Sequence, residues 1–137
     1  MTEDTQIRAI VRGLERVTEH VVTKITLDVT ANLVETTPVD TGWARANWVP
    51  AIGAPVIQDL RGVPTTAQNV ASMTGEQQQA LVGIVTDYRL SRGAVFVSNN
   101  VPYVPRLNDG SSTQAPSGFV QRAVQKAVTQ DIRGFKA

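Results

Sequence analysis

Few residues of this 137-residue chain have the types and spacing that catalysis or metal binding requires. The one histidine, His20, is accompanied by no cysteine and by no nearby carboxylate cluster, whereas a metal site needs three or four ligands. Asp40, Thr41 and Gly42 match the tripeptide of aspartic proteases, but that mechanism needs two aspartates sharing one proton, and the chain has no second copy. We therefore expect no enzymatic activity, no metal and no cofactor, and a structural role for His20.

The overall charge does not indicate a strongly charged partner. Thirteen lysines and arginines against 12 acidic residues leave a formal charge of +1, which predicts no strong attraction to nucleic acids or membranes. No apolar run is long enough to cross a bilayer. The chain begins with acidic and polar residues, unlike a secretory signal, and its lack of cysteine fits a reducing compartment. We expect a soluble protein that is made in the cytoplasm.

The most informative segment is residues 37–48, with the sequence TPVDTGWARANW. Pro38 has no amide hydrogen and disfavours helical backbone at Thr37, so a preceding helix must end here. Asp40 can bond its own following backbone, and Gly42 can take a positive φ. Residues 39–42, which include Thr41, are therefore predicted to form an Asx-type turn.

Residues 4–35 carry the pattern of one long amphipathic helix. Its apolar residues recur at steps of three and four: Ile7, Ile10, Val11, Leu14, Val17, Val21, Ile25, Val29 and Leu33. The second half is rich in valine and threonine, whose stiff side chains lower helix propensity. Tertiary packing must hold that half in place, and the pattern leaves room for a kink or an early end near Asp28.

Residues 43–49 fit either a strand or a short helical turn, because the period of their apolar residues does not distinguish the two. The loop-like composition of residues 50–73 predicts a long irregular insertion. Two interpretations of this insertion stay open, a disordered surface loop and an arm that orders against a neighbouring subunit.

The remaining elements are a second helix, a strand and a last helix. Thr74 and Gln77 match a capping box, and the helix behind them has an apolar face of Ala80, Leu81, Ile84, Val85 and Tyr88. Residues 94–100 predict a strand. Ser117 is predicted to cap the last helix. The apolar stripe of that helix consists of Val120, Val124, Ala127, Val128 and Ile132.

Five residues are candidates for an interface. Trp43, Arg45 and Trp48 follow the turn, and tryptophan and arginine are enriched at binding hot spots. At least one of the two tryptophans is nevertheless expected in the core. Tyr103 and Arg106 lie in and after a proline-rich stretch.

Together these features resemble the neck or tail-component family of long-tailed bacteriophages, which joins head to tail or completes the tail. The resemblance rests on the long helix, the turn at residues 37–42, Asn-Asn-Val-Pro-Tyr-Val-Pro at residues 99–105, and Gly-Phe-Val before the last helix. Trp43 stands where the family has a first arginine, and Arg45 matches a later basic residue. Asn108 stands at the family's acidic position, beside Asp109. The resemblance covers the chain except residues 50–73.

This resemblance implies a single α+β domain over residues 1–137. In it, the long N-terminal helix and the C-terminal helix pack on a small antiparallel sheet, with an insertion at about residues 50–73. It also implies a structural virion protein, made in the host cytoplasm, whose copies form a ring at the head–tail junction or at the upper end of the tail.

The implied partners are other copies of the chain and other neck proteins, namely the portal, a head-completion or adaptor protein, and a tail terminator or tail tube. DNA passes through the ring without sequence-specific binding, and no membrane is involved. The alternative is a nucleic-acid-binding module that uses the basic face of the first helix. That face carries Arg8, Arg12, Arg16 and Lys24, diluted by Glu15 and Glu19.

Overall fold

The computed structural model describes residues 2–38, 42–62, 73–111 and 115–134. Over these residues the chain has the expected α+β fold. Its elements are α1 (Glu3–Thr36), β1 (Val49–Ile52), α2 (Gly75–Asp87), β2 (Val95–Ser98), α3 (Val104–Asn108) and α4 (Phe119–Gly134). Single turns of 3-10 helix lie at Arg45–Asn47 and Leu90–Arg92.

Helix α1 is continuous over 34 residues, and the break considered near Asp28 does not occur. Its N-cap is Thr2, whose side chain accepts a hydrogen bond from the amide of Thr5. All its buried residues lie in the second half, which is rich in valine and threonine. There the buried hydroxyls of Thr26 and Thr30 donate to carbonyls four residues earlier, at 2.8 Å each. The prediction that packing holds this half in place is confirmed.

The predicted stop at Pro38 is also confirmed. The helix ends at Thr36, and both the amide and the hydroxyl of Thr37 donate to the carbonyl of Leu33. Gly42 has the expected positive φ, +81°. Residues 39–41 lie outside the described residues, so the Asx turn at Asp40 and Thr41 stays a prediction. After Gly42 the chain makes the 3-10 turn and then enters β1, so the undecided segment contains both a helical turn and the start of a strand.

Strands β1 and β2 form an antiparallel pair in which Val49 lies opposite Ser98 and Ile52 opposite Val95. The strand predicted at residues 94–100 is thus confirmed, with narrower bounds. Pro50 belongs to β1, so the irregular segment begins at Gly53 and not at residue 50. A proline is tolerated here because each strand of a two-stranded sheet has a free edge, where no amide hydrogen is needed.

Helix α4 runs antiparallel along the second half of α1, and α2 covers β1. The buried face of α4 matches the predicted stripe only in part. Ala127 is buried, as predicted, and Val120 is half-buried against the core. Val124, Val128 and Ile132 are exposed, whereas Phe119 and Ala123 are buried. The two alanines let the helix backbones approach closely, so the alanine face is the one that packs on α1.

Two other predictions for the helices need correction or extension. The capping box of Thr74 and Gln77 is present, but Val85 is exposed and does not belong to the buried face of α2. At the start of α4, the amide of Val120 donates to the side-chain oxygen of Asn108 at 2.9 Å. The cap shown there therefore comes from Asn108, in α3, and not from the predicted Ser117.

Gln77 connects α2 to the segment that follows the turn. Its side chain is fully buried. Nε2 donates to the carbonyl oxygens of Arg45 at 3.0 Å and Trp48 at 2.9 Å, and Oε1 accepts from the amide of Thr74 at 3.0 Å. One side chain thus satisfies three backbone groups.

Replacing Gln77 with methionine is expected to lower the free energy of unfolding by about 2–4 kcal/mol. The variant keeps the side-chain volume but leaves buried carbonyls without a donor. Chemical denaturation would measure the change, with Gln78→Met, at the exposed neighbouring position, as the matched control. Equal stability of the two variants would contradict this role for Gln77.

Candidate interaction surface

Arg45 binds the carboxyl end of α1. Its Nε and Nη2 donate to the carbonyl oxygen of Thr37 at 3.1 and 2.9 Å, and Nη2 also donates to the carbonyl of Glu35 at 3.1 Å. The last carbonyls of a helix lack partners within the helix and carry the negative end of its dipole, so a cation is favoured there. Burial lowers the pKa of Arg45, and the carboxylate of Glu35 opposes that shift. Arg45 therefore fastens the segment after the turn to the helix before it.

The two tryptophans have different surroundings. Trp48 is only 4% exposed, and its Nε1 donates to the hydroxyl of Thr37 at 2.7 Å. The expectation of at least one tryptophan in the core is thus confirmed, and Trp48 presents almost no surface to a partner. Trp43 is half-buried, and its Nε1 donates to the carbonyl of Arg61 at 3.0 Å.

The segment that follows the turn contacts the segment at residues 99–105 in the folded chain. The rings of Trp43 and Tyr103 lie edge to face, with centroids 5.7 Å apart and planes at 63°. The side-chain amide of Asn99 donates to the carbonyl of Ala44 at 2.7 Å. The segment after the turn and the proline-rich stretch therefore support one another.

The other candidate residues are scattered. Pro38 and Gly42 are buried at the end of α1, whereas Arg106 is exposed on α3. His20 is exposed on α1. The turn residues thus hold the fold in shape, and the candidate interface residues do not form one continuous patch.

Sequence reasoning missed three asparagines as structural residues. Asn47 and Asn99 bond backbone groups of the buried segment after the turn, and Asn108 bonds the start of α4. Asn108 also donates to the side chain of Gln121 at 2.9 Å. The available signal was an amide side chain within an irregular, apolar stretch, where buried backbone needs partners.

The first half of α1 is an exposed surface that the fold does not use. Every residue from 2 to 18 is exposed, although this half contains large aliphatic residues. We call five of them the α1 seam; their exposed fractions lie between 42% and 63%. They are Ile7, Ile10, Val11, Leu14 and Val17. The predicted helix is confirmed, but its apolar stripe enters the core only in its second half.

A second aliphatic surface lies on α4. Val124, Val128 and Ile132, which we call the α4 stripe, are spaced four residues apart and are between 38% and 57% exposed. With Val120 and the neutral residues Gln121, Gln125 and Thr129, the first two line a shallow groove. A monomer rarely exposes large aliphatic residues in such continuous rows.

The basic face of α1 is largely neutralised. Arg8 pairs with Asp4 at 3.0 Å, and Lys24 pairs with Asp28 at 2.6 Å. Arg12 and Arg16 line an open cleft of about 800 Å³ against the 3-10 turn at Leu90–Arg92, together with Arg89, Glu15 and Glu19. Charges of both signs therefore meet in this cleft.

The carboxyl group of Asp131 is buried at the junction of α1 and α4. Its side chain is 5% exposed and lies 3.6 Å from the ammonium of Lys24. Its Oδ2 is buried and has no hydrogen-bond partner among the residues that the structure describes. Burial raises the pKa of Asp131, and the neighbouring Asp28 raises it further. Burial acts in the same direction on Asp28, but hydrogen bonds from Lys24 and Asp131 bring the pKa of Asp28 below its usual value. Asp131 is thus the member of the pair that holds a proton more readily.

Within the described ranges, no group of three or more histidine or acidic side chains is placed to hold a metal ion. No helix in the same part of the chain is long and apolar enough to span a membrane. The chain matches no protein-family model, no curated protein and no solved structure.

Asp131→Asn is expected to stabilise the fold at neutral pH by about 1 kcal/mol, because it replaces a buried, under-bonded carboxylate with a neutral amide. In the wild type, the folded-state pKa of Asp131 lies above its ordinary value of 3.8. The folded state therefore loses stability as the pH rises from below 3.8 through the raised pKa. Thermal unfolding at several pH values should show a gap between the two proteins that opens with rising pH.

The matched control for this prediction is Asp87→Asn, at an exposed aspartate at the end of α2. It should leave the stability of the chain nearly unchanged. An Asp131→Asn protein less stable than wild type at neutral pH would show that the ionised carboxylate is favourable.

Proposed function

We propose that this chain is a structural virion protein of a tailed bacteriophage. Its copies form a ring at the head–tail junction or at the upper end of the tail, help to join the two, and leave a channel for DNA. The proposal takes its starting point from the sequence resemblance given above. The structural observation that supports it best is the exposed aliphatic first half of α1.

That half of α1 is suited to assembly. Exposing five large aliphatic residues to water is unfavourable, so a surface of this kind is typical of a contact that forms after folding. The turn, by contrast, is held by a dense set of hydrogen bonds around Thr37 and Arg45. The chain thus combines a hydrogen-bonded core with an exposed aliphatic half of a helix, and both features suit a ring subunit.

A ring also needs two different surfaces on each subunit. Head-to-tail contacts join one patch of a subunit to another patch of its neighbour, and they close when the rotation between neighbours fits a whole number of copies. The α1 seam and the α4 stripe are two such patches on different elements. Their presence on one chain supports a ring more than it supports a symmetric dimer.

The nucleic-acid-binding alternative receives less support from the contacts of α1. Arg8 and Lys24 are engaged by aspartates, and Arg12 and Arg16 share their cleft with Glu15 and Glu19. A phosphate backbone would meet carboxylates on the same face. A face with charges of both signs agrees better with a ring through which DNA passes without being tightly bound.

The first test of the proposal is assembly. Light scattering of the purified chain, alone and with connector or tail-tube proteins, should show a closed oligomer or a complex with one of them. Phage particles made without the chain should appear in electron micrographs as separate heads and tails, and supplying the wild-type chain should restore joined particles. A chain that stays monomeric, binds none of these proteins and is dispensable for joining would contradict the proposal.

A measurement of DNA affinity at several salt concentrations distinguishes the proposed ring subunit from the nucleic-acid-binding module. Four phosphate contacts from Arg8, Arg12, Arg16 and Lys24 would give a slope of about −4 in a plot of log affinity against log salt concentration. We expect no measurable binding at physiological salt and no such slope. Arg12→Gln combined with Arg16→Gln is the matched control, because it should weaken binding only if the basic face contacts DNA. A steep slope that this double variant flattens would favour the nucleic-acid-binding module.

A further inference from the structure

We infer that the α1 seam of one copy packs on the α4 stripe of a second copy of this chain. The inference rests on the proposed ring and assigns its subunit contact to named surfaces. It follows from two observations: the seam continues a face of α1 that already packs on α4 within the chain, and the α4 stripe is an exposed apolar face beside the one that packs on α1.

The seam has the spacing of a helix-packing surface. Steps of three and four residues separate its members Ile7, Ile10, Leu14 and Val17, as they separate the a and d positions of a heptad. Val21, just beyond the seam, continues the series. Val11 widens the row, as in helices that pack within bundles. In the part of the chain that the structure describes, no helix packs against the seam, since its five side chains are 42–63% exposed.

The same face of α1 already holds α4 further along. The next members of the three-and-four series after Val21 are Lys24 and Asp28, and Lys24 contacts Asp131 of α4. One turn later, the side chain of Asn32 donates to the carbonyl of Ala123 at 3.2 Å. The seam is thus the N-terminal continuation of the face on which α4 packs within the chain.

The α4 stripe is the surface that matches it. Val124, Val128 and Ile132 lie beside the face of Phe119, Ala123 and Ala127 that packs on α1, so α4 has two apolar faces and uses one. The groove along the stripe is bordered by Gln121, Gln125 and Thr129, which place no charge opposite an aliphatic seam. Seam and stripe together expose on the order of 700 Å² of aliphatic side chain, and flanking polar residues would bring the contact to the size of a specific interface.

A second copy of this chain is the occupant we assign. Every copy carries an aliphatic stripe with no charge along its groove, and the exposed aliphatic area of seam and stripe would be buried together in one contact.

Two variants test the contact through the oligomeric state. Leu14→Asp places a charge in the seam, and Val128→Asp places one in the stripe. Each variant alone should be monomeric under conditions in which the wild type assembles. Ala9→Asp and Gln130→Asp put the same charge at exposed positions outside the seam and the stripe, and they should assemble as the wild type does.

Mixing the two variants gives the decisive measurement. The Val128→Asp copy retains an intact seam and the Leu14→Asp copy retains an intact stripe, so an equimolar mixture should form a one-to-one dimer and nothing larger. Sedimentation velocity would detect this dimer. Circular dichroism would verify that each variant is folded, and Ile10→Asp provides a second seam variant.

The outcomes are distinguishable from those of the proposed function. Leu14→Asp or Val128→Asp protein that still forms the wild-type oligomer would overturn this contact and leave the ring standing on another surface. Monomeric variants whose mixture stays monomeric would also overturn it, since the intact seam and the intact stripe would then fail to bind each other. Val128→Asp protein that assembles while Leu14→Asp does not would instead indicate a symmetric contact between two α1 helices. A wild-type chain that is monomeric alone and with its partners would remove both the contact and the proposed ring.

Discussion

The fold depends on how the chain satisfies the backbone of a buried, irregular segment. After Pro38 the chain cannot continue as helix, yet residues 42–48 lie almost wholly in the interior. Backbone carbonyls in such a segment have no ladder of their own, and each one left without a donor costs free energy. Asn47, Gln77 and Asn99 provide those donors. Arg45, within the segment, donates in turn to the carbonyl of Thr37 at the end of α1. Through them the end of α1, the start of α2 and the approach to α3 are joined.

The elements that the sequence predicted well are those set by local chemistry. Pro38 ends α1 because of its own ring, Gly42 takes a positive φ, and Thr74 and Gln77 cap α2 by themselves. None of these depends on a distant residue, so a single sequence is enough to find them.

The parts that could not be predicted depend on which surface meets which. In α4, a row of aliphatic residues and a row containing two alanines lie side by side, and the period of the pattern does not distinguish the covered row from the exposed one. The face was decided by close approach to α1, which favours Ala123 and Ala127. The hydrogen bonds of the asparagines could not be predicted for a similar reason, because their partners are distant in the sequence: Asn108 caps a helix that starts eleven residues later. For the two tryptophans, the sequence predicted that at least one lies in the core but did not distinguish Trp48, which is buried, from Trp43, which is half-buried.

Helix α1 distributes its residues in an unusual way along its length. Its second half has the poorer helix formers and is buried, and its first half has the better ones and is exposed. The buried half tolerates valine and threonine because the core holds it, and the exposed half lacks such help. Its helical state rests on the Thr2 cap and on intrinsic propensity.

This division makes the chain a molecule with two levels of local stability. An unsupported helical segment of about four turns, with a glycine at its middle, is near the limit of what stays helical in water. In a separate subunit its amides should exchange with solvent far sooner than those of the core, through fraying from the N-terminus. Ordering of this segment is then available as part of the free energy of joining a neighbour, and a subunit that waits in solution differs in flexibility from one within an assembly.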